Sequence, residues 1–147
     1  MGIVLWIALA ILTGCQTTDQ AEVGEMASVK IAGHTDAEIE RAAAKAFLAD
    51  GYKQVDLKTF EKQGTHWDKL AYGGWSSNPV WIRMKINLNS AEPGQSVLGC
   101  DAFVVIDRDE ASMVEEKKLS VAYRSECKKI LDQAKATLEA APAEVAP

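Results

Sequence analysis

Between Val80 and Leu88 the apolar residues Val80, Ile82, Met84, Ile86 and Leu88 alternate with Trp81, Arg83, Lys85 and Asn87. A period of two predicts a strand with one face in a core and the other in water. Val97 to Ile106 repeats the pattern, with Leu98, Cys100, Ala102, Val104 and Ile106 on one side. Ala91-Glu92-Pro93-Gly94 lies between them, where proline's fixed φ and glycine's tolerance of positive φ favour a turn. The two strands are therefore expected to form an antiparallel hairpin.

Helical spacing flanks this region. Thr35-Asp36-Ala37-Glu38 has the form of a capping box, in which the threonine accepts from a first-turn amide and the glutamate reaches back. Ile39, Ala43, Ala46 and Phe47 follow at three- and four-residue spacing, and Gly51 offers a left-handed stop, so a helix is expected over 36–50. Leu119, Ala122, Tyr123, Cys127, Ile130, Leu131, Ala134 and Leu138 predict a second, longer amphipathic helix over 118–139.

The remaining segments read less regularly. Tyr52, Val55, Leu57, Thr59 and Phe60 favour β structure, but their parity slips between Leu57 and Phe60, which a bulge or a very tight turn would absorb. Gln63-Gly64 reads as a turn and His66 to Tyr72 as a further strand. Asp107 to Glu116 reads as an acidic connection, and 140–147, with Pro142 and Pro147, as a disordered tail. The expected fold class is α+β: an antiparallel sheet of three to four strands, with an N-terminal helix and a long C-terminal helix packed on one face.

Ahead of the domain, Ile3 to Leu12 is an uncharged apolar run of about ten residues, half the roughly twenty that a helix needs to cross a bilayer. That length suits the apolar region of a secretory signal. The run leads into Leu12-Thr13-Gly14-Cys15, which resembles the lipobox of bacterial lipoprotein precursors. The resemblance implies removal of residues 1–14 as a signal peptide and a diacylglyceryl thioether on Cys15. It also implies a lipid anchor to a membrane of the cell envelope. Gln16 is not the aspartate that marks inner-membrane retention in proteobacterial lipoproteins. The resemblance thus favours the periplasmic face of the outer membrane in a Gram-negative host. Residues 15–33 then read as a tether and 34–139 as the domain. The lipobox carries no activity with it.

Charge narrows the partners. A net charge of −5 without a lysine or arginine block lacks the footprint that phosphate neutralisation requires, so no nucleic acid is expected. Attachment would rest on the acyl chains, of which two or more anchor stably.

Candidate chemistry is sparse. Cys100 and Cys127 both fall on inward faces and could meet in the core. They read either as a disulfide, which an exported protein can retain and which would contribute roughly 3 kcal/mol in the loop-entropy model, or as two independent buried thiols. His34 and His66 have no second ligand or partner at a helical or strand repeat. Asp107-Arg108-Asp109-Glu110 lacks the pattern of a calcium loop and reads as solvated. Ser76, Ser77 and Ser120 have no nucleophile-elbow context. No catalytic residue, cofactor or metal site is expected, and the chain is read as a non-enzyme.

The best candidate for a binding surface is the aromatic cluster Trp67, Tyr72, Trp75 and Trp81, with Arg83 and Lys85 beside Trp81 on the wet face. An exposed tryptophan there would anchor an envelope protein or a glycan. The bland alternative has the same tryptophans covering the sheet. Two functions follow: a non-catalytic interaction or assembly module, or a carrier holding an apolar ligand between the sheet and the C-terminal helix. Gly99, Ala102, Ala122 and Ala134 would leave room for the second.

Overall fold

The computed structural model describes residues 26–73, 77–109, 114–119 and 121–140. The leader, Cys15, Trp75, Ser76, Glu110, Ser120 and the tail 141–147 lie outside them. In chain order the elements are β1 (Ala27–Ala32), α1 (Asp36–Ala49), β2 (Lys53–Asp56), β3 (Thr59–Gln63) and α2 (His66–Tyr72). They continue as β4 (Trp81–Glu92), β5 (Gln95–Ile106), β6 (Glu115–Lys118) and α3 (Arg124–Ala140).

The alternation in the middle of the chain does produce the hairpin. β4 and β5 pair antiparallel from Trp81 opposite Val105 to Glu92 opposite Gln95, around a turn in which Gly94 takes φ 80°. β3 and then β2 add to the outer edge of β4. The other edge of β5 is shared. β1 pairs with its first half, Gln95 to Cys100, and β6 with its last residues, Phe103 to Ile106. The sheet therefore has six antiparallel strands in the order β1-β5-β4-β3-β2, with β6 beside β5. Asp101 sits at the junction of β1 and β6. It accepts from the Met26 amide at 3.0 Å and pairs with Lys118 Nζ at 3.0 Å.

One face of this sheet carries the core. Ile82, Met84 and Ile86 from β4 and Leu98, Cys100, Ala102 and Val104 from β5 are buried together. With them are Ile39, Ala43 and Phe47 from α1 and Cys127, Ile130, Leu131 and Ala134 from α3. The capping box starts α1 as its sequence dictates: Thr35 Oγ1 accepts from the Glu38 amide at 3.4 Å while Glu38 accepts from the Thr35 amide at 2.7 Å. Gly51, at φ 88°, releases the chain after α1, a conformation that costs a Cβ-bearing residue energy. Phe47 then stacks on Phe60 of β3 at 4.5 Å between centroids, which ties α1 to the sheet.

Four expectations need correction. The α+β class holds, but with six strands rather than three or four, and the first described element is β1 rather than a helix. The segment read as tether through residue 33 includes β1, whose Val29 and Ile31 are buried; six residues without strong alternation concealed a strand that is specified by its partner. His66 to Tyr72 is helix α2, not a strand. The parity slip near Leu57, expected to need a bulge or a very tight turn, falls on a two-residue turn at Leu57-Lys58, with a register shift between Gln54 and Asp56 in the β2–β3 pairing. The last helix begins at Arg124 rather than 118: Leu119 belongs to the β6 approach, where its amide donates to the Ala102 carbonyl at 2.8 Å.

Ile130 is fully buried and Leu57 is 77% exposed, so the two separate core from surface. Ile130→Ala is expected to lower the unfolding free energy by about 3 kcal/mol through lost burial and a cavity. Leu57→Ala should move it by no more than about 0.5 kcal/mol. Urea titrations of the two variants check this.

Candidate functional site

The face of the sheet away from the helices is not a simple wet surface. Register sets Glu61 of β3 opposite Arg83, and Arg83 opposite Phe103 of β5. Glu61 is only 1% exposed, the most buried charged group described. Its Oε1 accepts from Arg83 Nε at 2.7 Å and lies 2.6 Å from Arg83 Nη2. Its Oε2 lies 3.0 Å from Arg108 Nε as an ion pair, but off the line of that N–H, so it accepts no hydrogen bond. Arg83 also donates to Glu116 of β6 at 2.6 Å, and Lys85 pairs with the other Glu116 oxygen. Burial pushes the Glu116 carboxyl up, yet the bonds from Lys85 and Arg83 outweigh it and hold the group below its ordinary range.

Arg108 reaches this face because the chain reverses at Asp107, a residue with φ 53°. Aspartate tolerates that left-handed region better than most, and Asp107 accepts here from Asn78 Nδ2 at 2.9 Å. The guanidinium of Arg108 stacks on Trp81, 4.3 Å from the ring centroid. Of the run expected to be solvated, Arg108 and Asp109 are exposed, yet the Arg108 side chain folds back over Trp81; Glu110 lies outside the described residues. Trp81 Nε1 is left buried with no hydrogen-bond partner among the described residues, as is Asn87 Oδ1.

A second polar centre lies where α2 meets the start of α3. Thr65 caps α2, and Asp68 closes the box by accepting from the Thr65 amide and hydroxyl at 2.6 and 2.7 Å. The other Asp68 oxygen accepts from Tyr123 Oη at 2.7 Å. Burial raises the Asp68 carboxyl, but the Thr65 and Tyr123 hydroxyls more than compensate and lower it. With Asp68 turned inward, Trp67 and Leu70 point out, 76% and 63% exposed. Nearby, Glu126 of α3 accepts from Tyr52 Oη at 2.9 Å and from Lys62 Nζ at 2.6 Å. Burial, reinforced by the Glu126 charge and hydrogen bond, pushes the Tyr52 phenol far above its ordinary value.

The expected binding cluster is therefore divided. Trp67 stands exposed on α2, Tyr72 packs against the core and Trp81 lies under Arg108 on the outer face; Trp75 is outside the described residues. Arg83 and Lys85 lie on the outer face as expected, Lys85 with 42% of its side chain exposed, but both are paired with carboxylates, Arg83 with Glu61 and Glu116 and Lys85 with Glu116. Glu61, Asp68, Arg108, Tyr123 and Glu126 were missed. Only Asp68 left a local signal, since Thr65-His66-Trp67-Asp68 repeats the capping pattern found at Thr35.

Cys100 and Cys127 do meet. Their Sγ atoms are 2.7 Å apart, with Met84 Sδ 3.4 Å from Cys127 and Met26 Sδ 3.9 Å from it. His34 lies 3.9 Å from Glu38 and His66 lies edge-on to Trp67. Among the described residues no group of three or more His, Cys, Asp or Glu side chains is placed to hold a metal ion, and no helix is long and apolar enough to cross a membrane.

Among the described residues, concavities open on either side of Gln63. One, of about 300 Å³, is bounded by Gln63 to His66, Lys69, Ser77, Pro79 and Val80. The other, of about 270 Å³, is bounded by Gly51, Lys53, Glu61, Lys62, Gln63 and Trp81. Neither is lined by α3. Ala102 and Ala134, which would leave room for a carried ligand, are themselves fully buried in the core cluster. Comparison with family models, curated proteins and solved structures finds no match.

Two outcomes test this geometry. Two thiols in contact across 27 residues of chain are expected to resist alkylation in denaturant until reduced, once the full chain has passed through an oxidising compartment. Reduction should then lower stability by roughly 3 kcal/mol; equal alkylation before and after reduction excludes the bond. The second concerns acid. Asp68 and Glu116 have lowered values in the folded state, so their stabilisation is complete above the ordinary carboxylate range near about 4 and is lost as pH falls through the lower folded values. Tyr123→Phe removes one cause of the Asp68 shift. Its deficit relative to wild type, measured by urea unfolding, should be largest at pH 7 and shrink toward pH 3.

Proposed function

We propose that the chain is a lipid-anchored protein of the cell envelope whose α+β domain is a non-catalytic interaction or assembly module. Leu12-Thr13-Gly14-Cys15 behind a short apolar run is the observation that carries the anchor. Support for the module comes from α2. A tryptophan and a leucine one helical turn apart are held outward on a segment whose far side is fixed by the Thr65–Asp68 box and the Tyr123 bond. Exposed aromatic anchors on rigid elements are the groups that carry binding energy at protein surfaces. An envelope protein or glycan is the partner this surface suits, through the membrane on which Cys15 would hold the domain.

The experiment is intact-mass measurement of the full precursor expressed in a bacterial host, set beside Cys15→Ala. Cleavage before Cys15 with an added diacylglycerol, absent in the variant, is the expected result; an unprocessed soluble chain overturns the anchor. A photo-crosslinking residue at Trp67 should then give discrete adducts in the envelope fraction, whereas one at Ala136 on α3 should not. Equal labelling from both sites would remove α2 as the interaction surface.

A further inference from the structure

We infer that, in its dithiol state, the chain holds one Cu(I) ion in its core, ligated by Cys100, Cys127 and Met84 with Met26 as a further sulfur beside them. The site is separate from the α2 surface and does not depend on the envelope reading.

Four sulfur atoms from four separate segments meet at one point. Met26 precedes β1, Met84 lies on β4, Cys100 on β5 and Cys127 on α3. They are four of the five sulfur-bearing side chains between residues 26 and 140. Cys127 Sγ lies 3.4 Å from Met84 Sδ, 3.9 Å from Met26 Sδ and 2.7 Å from Cys100 Sγ, and Cys100 Sγ lies 3.9 Å from Met84 Sδ. None of the four residues is more than 5% exposed. Filling a core does not call for such a cluster, because aliphatic side chains do so with better-defined shapes. Thiolate and thioether donors together select soft ions. Structural zinc takes four cysteine or histidine ligands, and among the described residues no third His, Cys, Asp or Glu joins the pair. Thioethers complete a site for Cu(I) instead.

The spacing is close to what such an ion needs. Three sulfurs around one ion at about 2.3 Å each stand about 4 Å apart. The separations of Met84 from Cys100 and Cys127, 3.9 and 3.4 Å, approach that already. Only the two thiols must part, by about 1.3 Å from their 2.7 Å contact, a shift divided between side chains on different elements. Met84 and Met26 are unbranched, with three rotatable bonds each, and can follow it. Binding displaces one thiol proton to water for each ion taken up, so the site stays neutral in a core where an unpaired charge is costly. The other cysteine and the thioethers donate lone pairs, and no electron is transferred. The same two cysteines form either the disulfide or the metal site, so only the reduced chain holds the ion.

The test uses the reduced full chain carrying Cys15→Ala, so that Cys100 and Cys127 are its only thiols. Two thiols counted in denaturant establish the reduced state, and Cu(I) is then delivered anaerobically from a chromogenic chelator. The expected result is one equivalent withdrawn per chain, with X-ray absorption at the copper edge showing only sulfur neighbours at about 2.3 Å. Met84→Leu conserves volume, so the fold is kept, which its circular dichroism spectrum checks. That variant should lose one sulfur neighbour and bind more than about tenfold more weakly, since losing even an outer partner of a metal ligand costs that much. A reduced chain that leaves the copper with the chelator, or one that takes it with nitrogen or oxygen neighbours, overturns the proposal. So does a Met84→Leu variant that matches its parent in affinity and sulfur count. None of these outcomes bears on acylation of Cys15 or on the α2 surface.

Discussion

β5 is the element on which the rest depends. It is buried on its helix-facing side by α1 and α3, and Val97 and Val105 on its other side are buried as well. Both of its edges are paired, one by β4 over its full length and the other by β1 and β6 in succession. A strand buried in this way is stable only when three separate segments of chain are in place, because each unpaired buried amide or carbonyl would cost about as much as a lost hydrogen bond. β1 lies some seventy residues before its partner: Met26 and Asp101 are 75 residues apart where they bond. The fold therefore closes late in sequence terms, by contacts that no local pattern announces.

Satisfying β5 has a consequence on the outer face. β6 brings Glu116 beside Val105 and the reversal at Asp107 brings Arg108, so the face opposite the core carries alternating charge, with Arg108 over Trp81 and Lys85 over Phe103. Glu61 is then taken out of water. Removing one member of such a buried group leaves the others uncompensated, and the extended set Glu61, Arg83, Arg108, Glu116 and Lys85 is held as a unit. The same arrangement fixes Trp81 in place with its indole N–H unmet. Closure of the sheet and the fixed position of Trp81 thus arise from the same residues, whereas the exposed Trp67–Leu70 ridge on α2 is set by a separate network through Asp68 and Tyr123.

What could be read from the sequence follows the range of the forces involved. The β4–β5 alternation, the α1 capping box and the periodicity of α3 are local patterns, and each appears close to its expected place. α2 was misread because its exposed face carries Trp67 and Leu70 while its buried face carries Asp68, an inversion of ordinary amphipathicity that local hydropathy reports with the wrong sign. β1 and β6 are short edge strands whose identity comes from β5. Glu61 and Arg83 are 22 residues apart, and only the register of β3 on β4 shows that they are opposite each other. The meeting of Cys100 and Cys127 was legible because strand parity and helix spacing each fixed one of them inward.

The position of β1 also limits how an anchored domain would sit. If Cys15 carries the proposed lipid, residues 16 to 26 join it to the sheet, and eleven residues span at most about 40 Å when fully extended. The β1 edge would therefore stay within that distance of the membrane. β3 is three strands away in the sheet, a lateral displacement of about 14 Å at the usual inter-strand spacing. The Glu61–Trp81 concavity would then lie on the half of the sheet away from the tether. An anchor attached at the β1 edge would leave the α2 ridge free to face partners in the envelope without competing for the same surface.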